Sequence, residues 1–233
     1  MNSHNTIHFV SLGPGGADHV TLGNARQIES ADKIYCFGSG GKSHCADTLR
    51  ILGHESKTEV IDIPMASDRT DAITAYEALA RKITIDYHDG KRIAVATEGD
   101  TGLFATTHYV MDILTEHGIS CRQHAGVPAF IAAGAMARLH LAKLDERLLI
   151  VPGTITADEL GTLVENGTNV VIMKPSKATE EIHKCIRSHP EFLYHYFRNV
   201  GMADEEYIYD MVELAEMRYP YFSIMIIMKQ KRQ

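Results

Sequence analysis

Ile7-His-Phe-Val-Ser-Leu-Gly13-Pro14-Gly15-Gly16 runs an apolar strand straight into a glycine-rich turn, and helical spacing begins soon after, at Thr21. Such a junction sets backbone N–H groups, uncovered by side chains, at the C-terminal edge of a parallel sheet, where α/β proteins take their ligands. A dinucleotide fingerprint would need a third glycine at position 18, where Asp18 stands. Pro14 fixes φ inside the loop and removes a donor, which favours a rigid turn packed against a ligand over one that wraps a pyrophosphate. A glycine turn after a first strand is also common as plain structure, so the junction alone does not decide function.

Outward from this turn, the first half alternates strand-like and helix-like segments with short breaks, the pattern of a parallel sheet. Strands are predicted at Ile7–Leu12, Lys33–Cys36, Glu59–Ile63, Arg92–Thr97 and Ser120–His124, and helices at Thr21–Ser30, Ser43–Leu52, Thr70–Tyr87 and Leu103–His117. Near residue 125 the pattern changes: Ala125-Gly-Val-Pro-Ala129 punctuates the chain before a helix over Ala129–Leu139. A domain boundary is placed there, giving an N-terminal α/β domain over 1–124 and a C-terminal α/β domain over 125–233. The second half predicts strands at Leu148–Val151, Asn169–Met173, Phe192–Phe197, Glu206–Tyr209 and Phe222–Met228, with helices near Ala157–Glu165 and Thr179–Arg187. Three late strands are joined by connections too short for a helical crossover, so this second sheet is expected to be mixed.

Composition narrows the function classes. The 233 residues are 45% hydrophobic and 23% charged, ordinary values for a soluble globular chain. No apolar run approaches the roughly 20 residues that cross a bilayer, and Met1–Thr6 has no secretory n-region, so a cytoplasmic protein is expected. Cys36, Cys45, Cys121 and Cys185 form no C-x-x-C pair, and no H-E-x-x-H occurs, so no metal site or disulfide framework is expected. A net charge of −7 speaks against a nucleic-acid surface, and the basic ending Lys229-Gln-Lys-Arg-Gln233 reads as a solvated tail.

A second glycine-bearing junction, Thr97-Glu-Gly99-Asp100-Thr101-Gly102-Leu-Phe104, ends the fourth strand. Two glycine turns then fall on one edge of one sheet, where a single cleft could be lined by both. Asp100 reads two ways, as the N-cap of the following helix or as a ligand contact. Gly126-Val-Pro128-Ala129 and Val170-Val-Ile-Met173-Lys174 make a third and a fourth junction. Met173, at a strand end, is by default core.

Taken in order, Gly13-Pro-Gly15, Thr21-Leu with Ala31-Asp32, Gly99-Asp100, Gly126 before an Ala-rich helix, and Val171-Ile-Met173-Lys174 resemble the tetrapyrrole methylases, S-adenosylmethionine-dependent enzymes of cobalamin and sirohaem synthesis. Ile63-Pro64-Met65, Leu149-Ile-Val-Pro-Gly153 and Pro220-Tyr-Phe-Ser223 are most similar to the branch that methylates precorrin-2 at carbon 20. The resemblance spans Ile7 to Met228. It departs at Thr101, where the family has proline, at Pro128-Ala129, where it has Thr-Ser, and in the glycine-rich Cys36–Lys42 segment.

The resemblance implies two α/β domains, the first mostly parallel and the second mixed, with a cofactor cleft between them. It implies a homodimer, S-adenosyl-L-methionine as methyl donor, and cofactor contacts at Pro14, Gly99, Asp100, Thr101, Phe104, Ala105, Thr106, Pro128, Ala129 and Met173. The substrate would be a tetrapyrrole, precorrin-2 or cobalt-precorrin-2, methylated at C-20. Methyl transfer from a sulfonium needs alignment and exclusion of water more than it needs a covalent nucleophile, which suits a chain with neither triad nor carboxylate dyad. An acidic protein binding a polycarboxylate needs local cations, for which His19, Lys42, His44, Arg69 and His108 are the candidates. Three other readings stand beside this one: a family member acting at another ring position or on a diphthamide-type protein substrate, a cofactor-binding homologue without activity, and a Rossmann-type oxidoreductase. The last is weakened by Asp18 and by Tyr35-Cys36-Phe37, which puts no acidic residue at the end of the second strand.

Overall fold

The computed structural model describes residues 6–63 and 70–230. Pro64, Met65 and Arg69, named above, lie outside the described residues. The chain divides into two compact units, Met1–Pro128 and Ala129–Gln233.

The first unit runs β1 (Ile7–Ser11), α1 (Leu22–Ser30), β2 (Lys33–Gly38), α2 (His44–Ile51), β3 (Thr58–Asp62), α3 (Thr70–His88), β4 (Ile93–Thr97), α4 (Thr107–Glu116) and β5 (Cys121–Gln123). Its strands lie in the order β3-β2-β4-β1-β5, and every pairing is parallel. Alternation along the strands divides the core in two. Val10, Leu12, Cys36, Ala94 and Ala96 pack with Ile28 of α1 and Leu49 of α2. Ile7, Phe9, Tyr35, Ile93 and Val95 pack with Leu79 and Ile83 of α3 and with Val110 and Leu114 of α4. Thr21 and Ser43 cap α1 and α2, each hydroxyl accepting from the backbone N–H three residues on. At the far end of α1, the Lys57 ammonium donates to the Ile28, Glu29 and Ala31 carbonyls, closing the helix with the charge its dipole favours.

The second unit runs α5 (Ala129–Met136), β6 (Arg147–Val151), α6 (Ala157–Glu165), β7 (Thr168–Met173), α7 (Thr179–Ser188), β8 (Phe192–Arg198), β9 (Glu206–Ile208), α8 (Met211–Glu216) and β10 (Ser223–Lys229). Its sheet, ordered β6-β7-β10-β8-β9, is mixed as expected: β6 and β7 are parallel, and β10 pairs antiparallel with both β7 and β8. Phe192, Tyr194 and Tyr196 of β8 join Leu160, Ile182 and Tyr219 in one core. Helix α8 was not predicted. Its signal is Asp210, whose carboxylate accepts from the N–H groups of Val212 and Glu213.

Candidate functional site

Strand order points to a candidate site. Adjacent strands β1 and β4 send their following helices to opposite sides: α1 leads toward β2 and α4 toward β5. A doubly wound sheet opens a crevice at such a point, outside the carboxyl ends of the strands. The two glycine turns meet there. Gly13 and Gly99 form an antiparallel bridge, each N–H donating to the other's carbonyl at 3.1 and 2.9 Å.

Polar side chains lock this edge, Ser11, Asn24 and Thr101 buried and Asp100 half-buried. Asp100 does not cap α4, which begins at Thr107 because Phe104 takes a left-handed φ of 53° and breaks the expected helix. Its carboxylate instead accepts from Gly102 N–H at 2.8 Å and Gly126 N–H at 2.6 Å, tying the turn after β4 to the segment after β5. Ser11 accepts from Thr101 N–H at 2.9 Å and donates to the His124 carbonyl at 2.7 Å. The buried Thr101 hydroxyl donates to that same carbonyl at 3.0 Å, so the departure from the family's proline is absorbed inside the loop. Asn24 accepts from Ser11 N–H and donates to the Ala125 carbonyl. Glycine is required at 126, because a Cβ there would lie 2.2 Å from Ser11 Cβ and 2.9 Å from the Gly99 carbonyl.

The consequence for ligand chemistry is direct. The N–H groups of Gly13, Gly99, Thr101, Gly102 and Gly126 are all engaged within the protein, so they are not the free cradle that the sequence suggested and that a pyrophosphate needs. Other groups at the edge suit a cationic, phosphate-free ligand. A Cβ on Gly99, at φ 65°, would meet nothing within 4 Å, so the backbone there faces open space. Glu98, beside it, offers a carboxylate whose pKa is raised by burial, with His44 pulling the other way. His19 packs directly on Gly13, and its Nδ1 is buried without a hydrogen-bond partner. S-adenosyl-L-methionine fits these residues, its sulfonium and ammonium calling for oxygen acceptors and its lack of phosphate for no cradle.

Of the expected cofactor residues, Pro14, Gly99, Asp100, Thr101, Phe104, Ala105 and Thr106 stand on the loops after β1 and β4. Phe104 is exposed and Ala105 buried. Pro128 closes the first unit, while Ala129 opens α5 and Met173 ends β7 in the second. Among the expected substrate cations, His19, Lys42, His44 and His108 follow β1, β2 and β4 on the same edge. Lys42 is exposed at the foot of a tight turn, Ser39–Lys42, with Gly40 and Gly41 at φ 57° and 76°. The His108 ring hydrogen-bonds the Ala105 carbonyl in the first turn of α4. Arg69 lies outside the described residues.

Sequence reasoning missed Ser11, Asn24, Glu98 and the pair His8–His124. The two imidazoles hydrogen-bond at 2.8 Å, and burial lowers both pKa values, with the neighbouring Arg122 adding to the effect. Among the described residues, Glu165, His189 and Glu191 also gather, with His189 Nδ1 at 3.7 and 3.3 Å from the two carboxylates. That geometry is an ordinary imidazole–carboxylate hydrogen bond, His189 to Glu191, with a second carboxylate near it.

A family model described as Tetrapyrrole (Corrin/Porphyrin) Methylases matches residues 6–215. Cobalt-precorrin-2 C(20)-methyltransferase of Salmonella typhimurium is 26% identical over 175 residues, 72% of this chain and 72% of that protein. The probable cobalt-precorrin-2 C(20)-methyltransferase of Methanocaldococcus jannaschii is 24% identical over 232 residues, 97% of each chain. Precorrin-4 C(11)-methyltransferase of Mycobacterium tuberculosis is 28% identical over 184 residues, 76% of this chain and 65% of that one. Among solved structures, cobalt precorrin-4 methyltransferase (CbiF) superposes with a TM-score of 0.73 at 15% identity, covering 97% of this chain and 95% of its own.

Proposed function

The chain belongs to the tetrapyrrole (corrin/porphyrin) methylases, and from that premise we propose that it methylates precorrin-2 or cobalt-precorrin-2 at carbon 20 in cobalamin biosynthesis. Members of this family are methyltransferases that draw on S-adenosyl-L-methionine. One observation carries the choice of carbon: the match to a C(20) relative extends over 97% of both chains, whereas the C(11) relative is covered over 65% of its length. The C(11) relative's higher identity of 28% supports the second reading, methylation at another ring position.

Bound S-adenosyl-L-methionine supplies an electrophilic methyl group, and this chain's task is to hold and align it. In this reading the Gly99–Thr106 loop presents its backbone to the amino-acid portion, beside Pro14 and with Phe104 exposed above it. Pro128, Ala129 and Met173 contact the remainder of the cofactor on the strength of the family resemblance. His19, Lys42, His44, Arg69 and His108 meet the substrate's carboxylates. Cytoplasmic location and homodimeric assembly are part of the same proposal. Among the described residues no helix is long and apolar enough to cross a membrane.

Calorimetric titration with S-adenosylhomocysteine, with NAD as control, tests the cofactor first. One-to-one binding of the former alone is expected, and binding of NAD instead would revive the oxidoreductase reading. Turnover of precorrin-2 and of cobalt-precorrin-2, with the product carbon assigned by NMR, then tests the position. A methyl at a carbon other than C-20 would move the chain to the second reading, and cofactor binding without any turnover would mark an inactive homologue.

A further inference from the structure

Glu98 is an acidic group in a place where a polyanion is expected. It follows Thr97, the last residue of β4, directly at the β1/β4 crevice, and precedes Gly99, whose backbone faces open space. Alternation puts Ala94 and Ala96 on the α1/α2 face, and Glu98 continues that row at its carboxyl end. His44 and Cys45 of α2 and Cys36 of β2 lie near enough to interact with it electrostatically. Cys36 and Cys45 are buried in the core on this side, and Glu98 itself is half-buried. The Ser43 side chain, bonded to the Phe37 carbonyl at 2.6 Å and to Ala46 N–H at 3.2 Å, fixes the start of α2 and with it His44.

A part-buried carboxylate is costly there, since it loses hydration and repels a polycarboxylate substrate. It suits a cation, or a group that carries a proton to give. C-methylation produces such a group: as the new C–CH₃ bond forms and the S–CH₃ bond breaks, the ring carbon still holds its hydrogen, and neutrality returns when the C–H electron pair stays with the ring and the proton leaves. We propose that Glu98 is the catalytic base that accepts this proton on its carboxylate. The inference rests on the C-methyltransferase reading above and assigns a residue to a step which that reading leaves open. Burial raises the Glu98 pKa toward the range in which a carboxylate accepts a proton effectively.

Glu98→Gln keeps size and hydrogen-bonding shape and removes the basic oxygen. The expected result with precorrin-2 is a fall in kcat of about a hundredfold, with S-adenosylhomocysteine affinity within about twofold of wild type. Precorrin-2 deuterated at the reacting carbon separates chemistry from structure: the isotope effect on kcat grows in the variant, because proton removal has become limiting. Glu98→Asp, which retains a carboxylate one methylene shorter, recovers part of the rate. Wild-type kcat in Glu98→Gln, or a loss of rate with no change in isotope effect, would overturn the assignment while leaving the methyltransferase reading intact. If wild-type protein binds S-adenosylhomocysteine but methylates neither precorrin, the parent reading falls and takes this one with it.

Discussion

The two units hold their sheets together by different means. In the first, parallel strands deliver every strand-to-helix turn to one edge, and that edge is sealed by backbone pairing and by buried and half-buried polar side chains: Gly13 on Gly99, Ser11 on Thr101 and His124, Asp100 on Gly102 and Gly126. In the second, β10 runs against both its neighbours, turns fall at both ends, and cohesion comes from a core of Tyr194, Tyr196, Tyr219 and the aliphatic residues around them. The exception teaches the rule: β6 and β7, the parallel pair of the second sheet, also bring two turns together, and a Cβ on Gly153 would lie 2.6 Å from the Lys174 carbonyl. Parallel pairing concentrates loops, and concentrated loops must be locked.

Four changes test that contrast. Gly126→Ala drives a methyl into Ser11 and the Gly99 carbonyl, neither of which can yield without opening the edge. A loss of about 3 kcal/mol in denaturant unfolding is expected, together with loss of S-adenosylhomocysteine binding, and near-wild-type stability would show the lock to be soft. Asp100→Ala leaves two backbone N–H groups without their acceptor and should cost about 2 kcal/mol, again with weakened ligand binding.

The pair His8–His124 gives a pH test. Both folded pKa values lie below the ordinary 6.5, burial being the main cause, so the pair contributes fully above pH 6.5. As pH falls through that value the unfolded chain takes up protons first, and stability declines until the folded pKa values are passed. His54 and His195 shift the same way, so comparing the thermal midpoint of wild type and His8→Phe between pH 8 and 5.5 isolates the pair. The variant is expected to show the shallower acid decline, and parallel curves would remove the pair from this account. In the second unit, Gly161→Ala meets only the tip of the His189 imidazole, at 2.4 Å, which can rotate aside while the helix gains propensity. A change below about 1 kcal/mol is expected, and a loss as large as that of Gly126→Ala would erase the difference between the units.

Much of the fold was legible because its signals are local. Ile7–Leu12 and Arg92–Thr97 read as strands from short apolar runs bounded by glycine, and the helices that start near Thr21 and Ser43 read from the spacing of their apolar residues. The positions of the two glycine turns on one edge follow from the same alternation. What joins them is not local. Asp100 meets Gly126 across 26 residues, and His8 meets His124 across 116, and no spacing rule predicts such partners. Asp100 therefore reads from sequence as a helix cap or a ligand contact, since an aspartate before a helical pattern caps by default and the partner N–H of Gly126 is far along the chain. Glu98 passed unnoticed because only the burial supplied by α2 and β2 makes its carboxylate unusual. The Ser11 hydroxyl carried a faint signal, a polar residue inside an apolar strand, whose meaning appears only once β5 lies alongside β1.

The bridge between Gly13 and Gly99 divides the ligand edge into a frame and its tips. Ligand-free protein already has these amides paired, so hydrogen–deuterium exchange at both should be slow before any cofactor is added and little changed afterwards. The tips are different. Around Gly40 and Gly41 an added Cβ would meet nothing within 4 Å, and Phe104 stands exposed on its left-handed backbone. At the tip after β2, the exposed Lys42 can be recharged without disturbing the lock beneath it, while the left-handed backbone of Gly40 and Gly41 keeps the turn's shape. A scaffold built this way can be retargeted to a new acceptor by editing the charge on that tip while the loop after β4, which meets the cofactor in the proposed reading, is left unchanged.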